Sequence, residues 1–198
     1  MFQFVSLGVY VGLGERRQAM HHVASNWRET MGERIDELRS QLIRNYKEVD
    51  RTHDERAPLY DSVGARLAQG TAATKLGISV DTVAPGKRSC PYHFHYAQEE
   101  AFVILSGEGT LRVAGEMVPI KAGDTIFIPP GPAYPHQIIN TSNAPLEYLS
   151  ISTRDSPEVV EYPDSGKYLA SAKRGDDSYG FSRMHREKDD LDYWDGEP

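Results

Sequence analysis

Two histidines one residue apart, His93 and His95, precede a glutamate pair, Glu99 and Glu100, in the stretch PYHFHYAQEEAFVILSGEG (residues 91–109). Histidine is scarce, seven in 198 residues, and its clustering beside carboxylates admits a surface accident, a proton-transfer site or a metal site. On a strand, residues two apart share a face, so His93 and His95 project together with Phe94 opposite. Two imidazoles offered from one rigid strand suit a single divalent ion. A bend between Tyr96 and Gln98 would bring Glu100, with Phe102 and Ile104 on its face, into the same interior and leave Glu99 outside. His136 in PHQIIN, sharing a face with Ile138 and Asn140, is a candidate for a further ligand. A buried cluster held by hydrogen bonds is the plainer alternative, but several ionisable groups in a small interior are costly unless paired or metal-bound. Three imidazoles and a carboxylate suit Fe, Mn, Co, Ni or Zn, and affinity order alone does not choose among them.

The elements that must position these residues are short. Residues 26–50 read as a helix, with Asn26 as N-cap and Ile35, Leu38, Leu42, Tyr46 and Val49 on one face. Residues 51–70 are polar and read as a connector. From about residue 73, runs rich in Val, Ile, Thr, Phe and Tyr alternate with turn signals such as Pro-Gly, Ala-Gly-Glu and Asn-Ala-Pro. That pattern predicts an all-β sandwich or barrel, antiparallel because no crossover helix interrupts it. Gly107, Gly109, Gly115 and Gly123 fall where tight reversals need positive φ, and Pro129 and Pro130 end a strand. The expected organisation is an N-terminal arm and helix over 1–70, the barrel over 71–155, and a polar C-terminal extension over 156–198. The aromatic DYWDGE segment is expected to dock on the barrel or a partner subunit, and Asp164 and Lys167 to pair and pin the tail.

Read in order, these residues resemble the two signature motifs of the cupin superfamily. Gly86, His93, His95, Glu100 and Gly107 match the first, with six residues instead of the usual five between Gly86 and His93. Gly123, Pro129, Gly131, His136 and Asn140 match the second, with four residues instead of the usual two before the histidine. The spacing to Gly107 selects Glu100 over Glu99. The resemblance implies a single antiparallel β-barrel or jelly roll, a divalent metal ion held by His93, His95, Glu100 and His136, and a small-molecule ligand at the barrel mouth. EYPDSGK and DYWDGE also resemble the tail of a bacterial subgroup of single-domain cupins, some labelled sugar-phosphate-isomerase-like.

The net charge of −7 argues against a nucleic-acid partner, since phosphate binding needs a positive surface. The apolar run at residues 1–13 is too short to span a bilayer, so no membrane role is expected; it reads as a strand or loose arm, with Met20 as an alternative start. Cys90, the single cysteine, reads as a small buried thiol, and one cysteine is compatible with a reducing cytoplasm. The leading expectation is a metal-dependent enzyme on a small polar metabolite, dioxygenase-like or isomerase-like. A non-catalytic binding or sensing barrel is the alternative, and a homodimer the expected assembly. Glu99 and Tyr96 are the candidates for a catalytic base. Tyr134, Gln137, Asn140 and Phe102 are candidates for the substrate pocket, and Arg112 and Lys121 for anion contacts.

Overall fold

The computed structural model describes residues 31–174, 179–186, 188 and 190–198. The expectations for the N-terminal arm and Asn26 lie outside the described residues. The chain divides into two compact units, 1–43 and 44–198.

In the first unit residues 31–42 form helix α1, so the helix expected to run to residue 50 stops at Leu42. Beyond it, Asn45 accepts backbone hydrogen bonds through both oxygens, from Lys47 N to Oδ1 at 3.1 Å and from Glu48 N to its carbonyl at 3.0 Å. An asparagine that serves nearby backbone this way favours a turn over helix. Ile35, Leu38 and Leu42 of the apolar stripe are exposed.

The second unit is built of strands: β1 Thr52–Arg56, β2 Tyr60–Arg66, β3 Leu76–Val83, β4 Phe94–His95, β5 Glu100–Ser106, β6 Glu108–Val113 and β7 Glu116–Lys121. There follow β8 Thr125–Ile128, β9 His136–Ile139, β10 Leu146–Thr153, β11 Glu158–Tyr162, β12 Lys167–Lys173 and β13 Tyr179–Arg186. They form a six-stranded sheet, β1-β2-β3-β10-β5-β8, a four-stranded sheet, β13-β12-β11-β4, and a three-stranded sheet, β7-β6-β9. Every pairing between these strands is antiparallel. An isolated bridge between His93 and His136 joins the two smaller sheets.

Two segments read as polar turn out to be sheet. The connector at 51–70 is the β1–β2 hairpin; β1, with sequence THDER, is exposed along its length, as an edge strand with one free side tolerates. The extension from 156 contributes β11, β12 and β13 to the four-stranded sheet. DYWDGE does not dock on the barrel: Tyr193 is 82% and Trp194 71% exposed, and the two rings pack only edge-to-face at 4.8 Å.

The core collects Val83, Phe102, Ile104, Ile128, Leu146 and Tyr148 from the six-stranded sheet, with Leu111, Ile120 and Ile138 from the three-stranded one. Strand β5 shows the cause most plainly, since Glu100, Phe102 and Ile104 are buried in strict alternation with half-buried neighbours. Gly107, Gly115 and Gly123 do have positive φ. Gly109 does not, and its requirement is space: a Cβ there would lie 2.6 Å from the Ile139 carbonyl oxygen and 2.8 Å from Leu146 Cδ2.

Candidate metal centre

The three sheets meet at one cluster. His93, just ahead of β4, and His136, the first residue of β9, exchange both backbone hydrogen bonds, at 3.1 and 2.7 Å. Their rings therefore lie on one face, with centroids 4.7 Å apart. His95 in β4 pairs with Val160 of β11. Its carbonyl accepts from Gly131 N at 2.7 Å, and Gly131 makes that approach with φ of 101°, which a residue with a side chain rarely adopts. Glu100 opens β5 between β8 and β10.

The three imidazoles converge on one carboxylate oxygen. Glu100 Oε2 lies 2.9 Å from His136 Nε2, 3.5 Å from His95 Nε2 and 3.9 Å from His93 Nε2. Their side chains are 2%, 14% and 12% exposed against 10% for the glutamate, so solvent screens the group little. Ligand atoms of His93, Glu100 and His136 all lie within 4.8 Å of one another. His95 stands beside this triad rather than within it.

Two observations test whether an ion fits. His93 Nδ1 donates to the Pro91 carbonyl at 2.8 Å and His136 Nδ1 to the Tyr134 carbonyl at 3.3 Å. A carbonyl can only accept, so each proton sits on Nδ1, and in the neutral ring the inward Nε2 is a bare lone pair. Moreover, Glu100 Oε2 and His136 Nε2 are buried without a hydrogen-bond partner although they are 2.9 Å apart. Two unpartnered electron-rich atoms at that distance suit a cation bridging them. With ligand bonds of about 2.1 Å, ligands around one ion sit ~3.0–3.5 Å apart, close to the separations found.

Charge favours the same state at His93 and Glu100, though not at His95. Burial pushes the His93 imidazole down to about 4, helped by His136. Burial alone would raise Glu100, but His136, then His95 and His93, outweigh it and hold the carboxyl below its usual range. His95 is raised: burial opposes its charge, and the carboxylates of Glu158 and Glu100 prevail.

The remaining candidates separate cleanly. Phe102 is buried against the His136 ring at 5.5 Å. Gln137, on the other face of β9, donates to the Cys90 carbonyl at 2.7 Å and accepts from Arg88 at 3.4 Å. Asn140 donates to Val83 O and Ala144 O and accepts from Ser142 N and Oγ, so its amide knits the turn before β10. Tyr134 is half exposed and contributes its carbonyl. Glu99 is exposed, and Tyr96 donates at the surface to Glu161 at 3.1 Å. Arg112 forms a two-point ion pair with Asp164, at 2.7 and 2.9 Å, stacked 3.8 Å over Tyr92. Asp164 thus pairs with Arg112 rather than Lys167, whose ammonium lies 5.0 Å from the Tyr162 ring. Cys90 is half-buried, its thiol pushed up to about 12 by burial.

Sequence reasoning missed β11, and with it Glu158 and Tyr162. The Tyr162 ring stacks on His93 at 6.1 Å, and Glu158 is buried beside His95. The signal was present in EVVEY, whose alternate residues Glu158, Val160 and Tyr162 share a strand face, but the flanking polar sequence obscured it.

Comparison with known proteins agrees with this geometry. Residues 79–152 match the cupin domain family. An uncharacterised protein of Methanocaldococcus jannaschii is 35% identical over 85 residues, 41% of this chain and 66% of the relative. An oxalate-binding protein of Thermotoga maritima is 42% identical over 67 residues, 34% of this chain and 54% of the relative. The chain thus spans less than two thirds of the length of either. A crystal structure of a protein named as a putative sugar phosphate isomerase from Acidithiobacillus ferrooxidans superposes with a TM-score of 0.66 at 28% identity, covering 78% of this chain and 97% of that one. The strands, the motif residues and the domain match together show that this chain carries a cupin domain at residues 79–152.

Proposed function

We propose that His93, His95, Glu100 and His136 hold a divalent metal ion that binds a small, oxygen-rich metabolite, and that the protein is a metal-dependent enzyme of the isomerase or dioxygenase kind. The observation that carries the metal is the convergence of three imidazole Nε2 atoms on the unpartnered Glu100 Oε2. Such an ion would supply Lewis acidity toward a substrate oxygen. The chain's own part is to present unprotonated Nε2 atoms from Nδ1-anchored rings, hold Glu100 ionised, and wall the centre with Phe102 and Tyr162. The likeness over most of both chains to the structure named as a putative sugar phosphate isomerase supports the isomerase branch.

A second reading has its own support. Glu99 is exposed and Tyr96 is engaged at the surface, so neither serves as a base at the centre, and one relative is an oxalate-binding protein. On this reading the barrel holds a small dicarboxylate-like ligand without turning it over.

Elemental analysis of untagged protein, beside His93→Ala and His136→Ala, tests the metal first. Near-stoichiometric metal in the wild type, lost in both variants, is the expected result; wild-type protein that neither carries nor takes up Fe, Mn, Ni, Co or Zn would overturn it. Metal-loaded protein that turns over a sugar phosphate supports the enzyme. A ligand-induced rise in Tm by oxalate without turnover supports the binding barrel.

A further inference from the structure

Two of the three clustered histidines anchor Nδ1 on the carbonyl two residues earlier, Pro91 for His93 and Tyr134 for His136. For His95 the corresponding carbonyl belongs to His93, and it accepts the His136 backbone N–H at 2.7 Å. His95 Nδ1 is instead buried without a hydrogen-bond partner and faces Glu158 Oε1 at 3.7 Å. Glu158 is itself 5% exposed. Its Oε1 accepts from Tyr96 N at 3.1 Å and Ala97 N at 3.5 Å, and its Oε2 from Gln98 N at 2.8 Å. These amides are the bend that carries the chain from His95 to Glu100. Three backbone N–H groups thus fix the Glu158 carboxyl group in place behind the His95 ring.

We infer that Glu158 is a positioning residue of the centre: its carboxylate fixes the Nδ1–H tautomer of His95 and turns Nε2 toward Glu100, doing for this ring what backbone carbonyls do for the other two. Second partners of this kind orient ligating imidazoles, and their loss typically costs about 10–100-fold in metal affinity. The inference rests on the metal reading above, and its test keeps the two apart.

The full chain is prepared metal-free as wild type, Glu158→Gln, His95→Ala and the double variant. Imidazole nitrogen NMR on wild type and Glu158→Gln first reads which His95 nitrogen carries the proton, with no metal needed. The expected result is an Nδ1–H ring in wild type and a mixed population in Glu158→Gln. Co2+ affinity is then measured by competition with a chromophoric chelator. Glu158→Gln is expected to weaken Co2+ by about tenfold or more, with no added loss on the His95→Ala background. Equal affinity in wild type and Glu158→Gln would overturn the inference. So would a loss that persists without His95, since Glu158 would then act only through the 96–98 bend. Wild-type protein that takes up no Co2+ would sink the metal reading, and an unchanged His95 tautomer in Glu158→Gln would separately sink the Glu158 contact. Should Glu158→Gln lose cooperative unfolding, Glu158→Asp is the second variant. It keeps the charge but draws it back by one methylene, and the same His95-dependent loss is expected.

Discussion

His93 carries the clearest pH signature of any residue in the site. In the unfolded chain its imidazole takes a proton near its ordinary value of 6.5, whereas burial and the neighbouring His136 delay that to about 4 in the metal-free fold. Between those values the unfolded state binds more protons, so stability falls as pH falls through the window, by about 3 kcal/mol for this group alone. His95 acts in the opposite sense: Glu158 and Glu100 raise it, so its contribution is present at low pH and lost as pH rises through its folded value. Urea midpoints of metal-free protein at pH 4.5 and 7 are therefore expected to differ less in His93→Asn than in wild type. An equal difference in both would remove His93 as the cause. The choice of Glu100 over Glu99 was legible at this scale from the cupin-motif spacing to Gly107; strand alternation adds only that the two neighbours face opposite ways. The partners of His95 were not, because Glu158 lies 63 residues away in sequence.

Among the elements, β9 and its following turn show how little freedom the site's supports have. HQII is buried at His136, Gln137 and Ile138, and Asn140 just beyond it is fully buried. Asn140→Ala would take the Asn140 partner from the Val83 carbonyl and the Ser142 N–H, while the Ala144 carbonyl and the Ser142 hydroxyl would keep each other at 2.9 Å. The expected cost is ~2–4 kcal/mol, from a penalty of about 1–3 kcal/mol for each buried group left unmade, partly relieved by water at the exposed Ser142. Gly109→Ala should cost about 1–3 kcal/mol by overpacking β6 against the Ile139 carbonyl and Leu146. Denaturant unfolding checks both, and a change below ~0.5 kcal/mol in either would contradict the packing described. The strands of the motif region were legible from alternation and turn residues. Strands β1, β2 and β11 to β13 were not, because β1 is an exposed edge strand without apolar alternation and the others are set in polar flanking sequence.

Across the whole molecule the candidate centre is a junction. Glu100 comes from the six-stranded sheet, His95 from the four-stranded and His136 from the three-stranded. An ion bound by all of them would tie the sheets together and stabilise the fold by mass action. At a free metal concentration a hundredfold above Kd that amounts to ~2.7 kcal/mol, or about 5–11 °C in Tm for a chain of this size. Chelation is expected to lower the Tm by that order, while leaving His136→Ala unmoved; scanning calorimetry with and without EDTA decides it. We propose a homodimer, supported by exposed apolar surface: Phe127 on edge strand β8, Met117 and Val118 on edge strand β7, and Leu191, Tyr193 and Trp194 in the tail are all exposed. A homodimer is the expected state in sedimentation at micromolar concentration, and a monomer there would contradict it. Among the described residues no helix is long and apolar enough to cross a membrane.

The sequence by itself determined the β-rich class, the turn glycines, and the residues that converge, because strand period and motif spacing are local and His93, His95, Glu100 and His136 announce themselves by type and position. Only the tertiary structure decided what surrounds them. The His93–His136 bridge, the six-stranded sheet beginning at residue 52, and Glu158 behind His95 are contacts between segments distant in the chain. Their pairing depends on which faces meet, and that is a property of the assembled sheets that no local pattern carries.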